Sequence, residues 1–135
     1  MELGLKGKSA LITGGSRGIG LGAARLLAQE GCDLHLAARS GADLEAARAL
    51  ITTEQHVDVH CHAVDLSLAS NAVALARECR DVDLLINNAG SIPQGTLEML
   101  DALSRHDGLI LGIATGKSRR GLERILDLHA LRGRF

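Results

Sequence analysis

Two periodicities alternate along the chain. Ser9-Ala10-Leu11-Ile12-Thr13 is a short apolar run that ends in glycines, the pattern of a buried strand. Ile19, Ala23, Leu26 and Leu27 then recur at spacings of three and four, which predicts a helix running to about Glu30. Gly31 is suited to end it. Asp33–Ala38 reads as a second strand, and Gly41 and Asp43 open a second helix over Leu44 to about Thr53. Val57–Val64 alternates as a third strand. Ser67 or Ser70 is placed to cap a third helix with Ala72, Leu75 and Ala76 on its inner face. Val82–Ile86 is a fourth strand. Farther on, Leu109–Ala114 reads as one more short strand, and Leu122–Leu131 as a helix. Strands alternating with helices of this length predict an α/β fold with a parallel sheet and right-handed crossovers.

In such sheets ligands bind beyond the carboxyl ends of the strands. The first of these ends carries Thr13-Gly-Gly-Ser-Arg-Gly-Ile-Gly20, a strand, a glycine turn and a helix start. The first N–H groups of a helix lack internal partners and favour negative charge, so this turn is an anion site. Its spacing, Gly-x-x-x-Gly-x-Gly, differs from the general Gly-x-Gly-x-x-Gly dinucleotide fingerprint. The other strand ends carry Arg39, Asp65 and Asn87-Asn88-Ala89-Gly90.

In order and spacing, the glycine segment, Asp65 and Asn87–Gly90 resemble the short-chain dehydrogenase/reductase family over about the first hundred residues. The resemblance implies a Rossmann-type three-layer fold with strand order 3-2-1-4, truncated, with one further strand supplied by the tail. It implies an NAD(P)(H)-dependent oxidoreductase family whose cofactor pyrophosphate would be held by the glycine loop through Ser16, Gly18, Ile19 and Gly20, with Gly14 shaping the turn. Asp65, with Leu66 beside it, would meet the adenine, and Asn87, Ala89 and Gly90 the ribose nearer the nicotinamide. Choice of nucleotide is set at the end of the second strand, where a carboxylate repels a 2′-phosphate. Here that position holds Ala38-Arg39, and Arg17 is within reach of the same group, so the expected cofactor is NADP(H) over NAD(H).

The family carries its chemistry on a serine and a Tyr-x-x-x-Lys helix. This chain has no tyrosine, and its lysines are Lys6, Lys8 and Lys117, so no catalytic residue is assigned. The expectation is a cofactor-binding portion inactive alone, the alternative being a non-catalytic dinucleotide-binding or docking protein. Residues 1–100 carry 8 Lys+Arg against 12 Asp+Glu, and residues 101–135 carry 7 against 4. The expected division is therefore a dinucleotide-binding domain over 1–100 and a divergent basic tail over 101–135, as in a truncated or frame-shifted gene. The fourth strand would then be an open edge, inviting self-association or aggregation unless the tail covers it.

Composition changes the picture little. At 135 residues and 46% apolar the chain can build one core, almost without aromatics, since Phe135 is the single one. A net charge of −1 gives no case for nucleic acid or an anionic membrane, and no apolar run reaches spanning length. Cys32, Cys61 and Cys79 are odd in number, which with the absence of a signal-type N-terminus predicts reduced thiols and a cytoplasmic protein. Gly112–Ser118 falls one residue short of a P-loop, and His106 and His129 are titratable, but lone histidines are more often surface residues than acid/base catalysts. His60 and His62 share one face of a strand while Cys61 points away, and two ligands do not close a zinc site, so no metal is expected.

Overall fold

The computed structural model describes residues 3–88 and 110–113. The elements run β1 (Ser9–Thr13), α1 (Gly18–Gln29), β2 (Asp33–Ala38), α2 (Gly41–Glu54), β3 (Val59–Ala63), α3 (Ala69–Glu78), β4 (Leu84–Asn87) and β5 (Ile110–Ile113). They form one sheet in the order β3-β2-β1-β4-β5, and every pairing is parallel. This is the Rossmann-type arrangement, with β1 in the centre.

Alternation along the strands divides the core in two. Ala10 and Ile12 of β1 and Leu34 and Leu36 of β2 point to one face, where α1 and α2 cover them with Ala24, Leu27, Ala28, Leu44, Ala47 and Ile51. Leu11, Ala37 and Leu85 point to the other, under Ala72, Leu75 and Ala76 of α3. Leu11, Leu34 and Leu36 are wholly buried. Truncating such a leucine to alanine costs about 2–5 kcal/mol.

The α1 stripe is rotated from the one the spacing predicts. Its buried residues are Gly20, Ala24, Leu27 and Ala28, whereas Ile19 is 68% and Leu26 64% exposed. Gly20 sets the rotation, because it alone lets the helix approach the loop after β1. Positions four, seven and eight residues on then follow it onto the sheet. The α1 terminus behaves as predicted: Glu30 is the C-cap and Gly31, at φ +78°, takes the left-handed conformation.

Neither Ser67 nor Ser70 caps α3. Its N-cap is Leu68, with no side-chain bond, and the Ser67 N–H is instead turned onto the Asp65 carboxylate at 2.9 Å. Ser40, by contrast, does cap α2, its hydroxyl accepting from the Asp43 N–H at 3.2 Å.

The strand expected from the tail over Leu109–Ala114 is present as β5 and covers the edge of the fourth strand. β5 lies along it in parallel register, Leu84 opposite Ile110 and Asn87 opposite Ile113, so the edge on which self-association was expected is occupied. The helix expected over Leu122–Leu131 lies outside the described residues, as do Ala89, Gly90, His106, Lys117 and His129. Among the described residues no helix is long and apolar enough to cross a membrane, and the three cysteines form no disulfide.

Candidate functional site at the carboxyl ends of the strands

The loop from β1 into α1 is shaped by its glycines. Gly14 and Gly18 have φ of 65° and 54°, a region that a side chain disfavours. A Cβ on Gly20 would sit 2.1 Å from the Gly14 carbonyl oxygen and 2.7 Å from Asn88 Nδ2. A Cβ on Gly18 would meet nothing within 4 Å, so its bare backbone faces open space. No side chain caps α1: Arg17 is its N-cap in extended conformation, and the first turn holds no acid. The helix start thus presents its positive end to that space.

The loop is braced from β4. The Thr13 hydroxyl donates to Asn87 Oδ1 at 2.7 Å and accepts from the Asn88 N–H at 3.0 Å. Asn88 Nδ2 donates to the Gly14 carbonyl at 3.3 Å. From the other side, the Gly14 N–H donates to the Ala37 carbonyl of β2 at 2.8 Å. Thr13 is fully buried, so its hydroxyl bonds act in a low-dielectric surrounding. Asn88 was not among the residues singled out from sequence. Its signal was the paired asparagine, of which Asn87 alone was given a role, while the bond to Gly14 joins residues 74 apart.

The structure gathers Gly14, Ser16, Arg17, Gly18, Ile19 and Gly20 in this loop and helix start, with Asn87 beside them. Arg17 is exposed, and its Nε lies 3.4 Å from an Asp43 carboxylate oxygen in the first turn of α2. Arg39 follows β2 and is exposed. Asp65 follows β3, and hydrogen bonds from Ser67, with the Arg39 charge as a smaller cause, hold its carboxyl below the ordinary aspartate range. The Asp65 carbonyl accepts from Asn71 Nδ2 at 3.0 Å, which fixes the turn into α3. Leu66 is different: its side chain is buried in the core beneath α3.

The chemistry of these residues suits a phosphate group. The cradle at Gly18 is open, the helix start is uncapped, and two arginines flank the entry to α2. Each arginine has an acid neighbour, Asp43 for Arg17 and Asp65 for Arg39, so the corner is polar and close to balanced.

The sequence profile of the short chain dehydrogenase family matches residues 8–109. D-beta-hydroxybutyrate dehydrogenase of Cupriavidus necator is 37% identical over 91 residues, covering 64% of this chain and 34% of that protein. Galactitol 2-dehydrogenase of Rhizobium johnstonii is 33% identical over 144 residues, covering 96% of this chain, which carries the likeness past residue 101, and 55% of that protein. Among solved structures, L-sorbose reductase from Gluconobacter frateurii, complexed with NADPH and L-sorbose, superposes with a TM-score of 0.70 at 29% identity. It covers 78% of this chain and 49% of that one. NAD+-bound xylitol dehydrogenase superposes at 0.67 with 27% identity, over 75% and 48% of the two chains. The chain thus spans between a third and just over half of these relatives. With the glycine loop, the braced fourth strand and the parallel sheet in the family's order, the chain belongs to the short-chain dehydrogenase family of oxidoreductases.

Proposed function

We propose that this chain binds NADP(H) across the carboxyl ends of β1–β4 and does not by itself complete a catalytic site. The open backbone at Gly18, beside an uncapped helix start, is the observation that carries the dinucleotide reading. Ser16, Gly18, Ile19 and Gly20 would meet the pyrophosphate, Asp65 and the Leu66 backbone the adenine, and Asn87, Ala89 and Gly90 the ribose nearer the nicotinamide. A bound nicotinamide supplies hydride transfer. The protein's part is to hold and orient it.

The preference for NADP(H) rests on Ala38-Arg39 where β2 ends and on Arg17 across the entry to α2. A carboxylate at that end would repel a 2′-phosphate, whereas a guanidinium pairs with it. A hydrogen bond to a charged group contributes about 1.5–3 kcal/mol, roughly ten- to a hundredfold in affinity. Asp43 and Asp65 compete for the two arginines, which sets the preference at the lower end.

Carbonyl reduction needs a proton donor at the substrate oxygen, worth typically about 10²–10⁴ in rate. The chain contains no tyrosine to serve as one, which supports binding without independent turnover. We take residues 1–100 as the cofactor-binding unit and 101–135 as a basic tail that lends β5 to its sheet. Thiols without disulfides fit a reducing compartment such as the cytoplasm.

Calorimetric titration with NADPH and then NADH tests the reading. Saturable binding with NADPH preferred, and that preference lost in Arg39→Asp, is the expected result. Equal losses for both nucleotides in Arg39→Asp would remove the assignment of Arg39. No binding of either to the folded chain would remove the dinucleotide reading.

A further inference from the structure

Away from the strand ends, three side chains from three elements converge on one point. His35 lies on β2, His62 on β3, and Cys79 is the C-cap of α3. His35 Nδ1 and His62 Nε2 are 2.9 Å apart, and Cys79 Sγ is 3.6 Å from each. A tetrahedral zinc site, with Zn–N of about 2.05 Å and Zn–S of about 2.3 Å, has N···S edges of about 3.5 Å and N···N edges of about 3.3 Å. Both N···S edges already match. The N···N edge needs to open by a few tenths of an ångström, as when an ion replaces the proton that the two rings share.

The surroundings are those of a ligand set. Glu78 Oε2 lies 3.4 Å from His62 Nδ1, the ring nitrogen turned away from the cluster. A carboxylate on the far nitrogen of a ligating histidine fixes its tautomer and raises its basicity. With Nδ1–H given to Glu78, His62 Nε2 is left with its lone pair facing His35 and Cys79. His60 stacks on His35 with ring centroids 4.8 Å apart, and steadies it from the solvent side. Cys79 is buried while the His62 side chain is 16% exposed, so the point of convergence has a dry floor and a route to water. Burial, with Glu78 as a smaller cause, pushes the Cys79 thiol up to about 12, and burial with His62 and His60 pushes His35 down to about 4. Without an ion the Cys79 thiol and the His35 ring are therefore neutral.

We propose that His35, His62 and Cys79 form a binding site for a thiophilic divalent cation of the zinc class, with Glu78 as a positioning residue and water in the fourth position. Binding exchanges the ion for the Cys79 thiol proton, which leaves to solvent, while the His35 proton moves to its other ring nitrogen. The ion would staple the end of α3 to β2 and β3, on the face of the sheet opposite α1 and α2. The site is independent of the nucleotide and of the proposal made for it.

Titration of the full chain with Co²⁺, in a non-chelating reductant, tests this. One equivalent is expected to raise a thiolate-to-cobalt charge-transfer band that Zn²⁺ then bleaches, and Zn²⁺ alone should raise the melting temperature. Cys61→Ser should leave the band intact, and Cys79→Ser should abolish it. His62→Gln should weaken binding by more than tenfold, and Glu78→Gln by about tenfold with the band unchanged in position. If Cys79→Ser does not fold, His62→Gln and Glu78→Gln decide. No band in the parent chain, a band that survives Cys79→Ser, a band lost in Cys61→Ser, or undiminished affinity in His62→Gln would each overturn the proposal.

Discussion

Two glycines on one helix, two residues apart, should respond to alanine in opposite directions. At Gly20 the new Cβ would lie 2.1 Å from the Gly14 oxygen, 2.8 Å from the Gly14 carbonyl carbon and 2.7 Å from Asn88 Nδ2. Two of these atoms are backbone, held in place by the bond from Asn88 and by the Gly14 N–H on Ala37. Relief therefore requires α1 or the loop to move by about an ångström, and overpacking of this kind costs about 1–3 kcal/mol, here near the top of the range. Alanine returns about 1 kcal/mol through helix propensity, which leaves a net loss of about 2 kcal/mol. At Gly22 a Cβ meets nothing within 4 Å, so the propensity gain of about 1 kcal/mol stands alone. The two variants should then differ by about 3 kcal/mol, or roughly 10 °C in melting temperature for a chain of this size. Thermal melts followed by far-UV circular dichroism measure the difference. Equal melting temperatures would refute the close packing of α1 on the loop. Nucleotide affinity should fall in Gly20→Ala alone, since only that change displaces the loop.

Other perturbations follow from the same contacts. Thr13→Val removes a buried hydroxyl that joins β1 to both Asn87 and Asn88, and should cost about 1–3 kcal/mol in denaturant unfolding together with a loss of nucleotide affinity. Asp43→Asn frees Arg17 from its carboxylate partner and should tighten NADPH more than NADH in calorimetry. Asp83 accepts from the Ser9 N–H at 2.9 Å and from Lys8 Nζ at 3.2 Å, and these bonds, the backbone one foremost, hold its carboxyl below the usual range. The stability it contributes is present above the unfolded aspartate value of about 3.9 and is lost as pH falls through the lower folded value. Melts between neutral and acid pH should show a shallower decline in Asp83→Asn than in the parent chain.

Much of the fold was legible because burial on both faces of a parallel sheet leaves a clear trace. Asp33–Ala38 was bounded correctly from its apolar run and its flanking turns. The inner face of α3, Ala72, Leu75 and Ala76, was likewise plain from its spacing. What failed was whatever depended on contact. Ile19 and Leu26 are the larger apolar residues of α1 and look like its core stripe, yet a helix seated through Gly20 turns them outward. Ser67 has the chemistry of a cap, but its N–H and its hydroxyl are both turned back onto the Asp65 carboxylate two residues earlier, a charged acceptor. In the candidate site, the glycine spacing and the strand ends were readable, whereas the Asn88 brace joins residues 74 apart and leaves no local pattern. The cluster of His35, His62 and Cys79 is concealed more completely. Within the sequence His62 pairs by spacing with His60, and only the register of β2 on β3 and the packing of α3 redirect it to the other two.

The brace on the glycine loop also imposes an order on folding. β1 meets β2 across a short connection, but its other neighbour, β4, is more than seventy residues downstream, and the sheet has no hairpin to shorten the search. During synthesis, β1, α1 and β2 are free to assemble as soon as they emerge. The carbonyl of Gly14 then waits for Asn88. The phosphate cradle is thus finished late, by the arrival of a distant strand, although every glycine that shapes it is made among the first twenty residues. A nascent chain halted before residue 87 should hold its first helix and two strands while lacking a formed nucleotide loop.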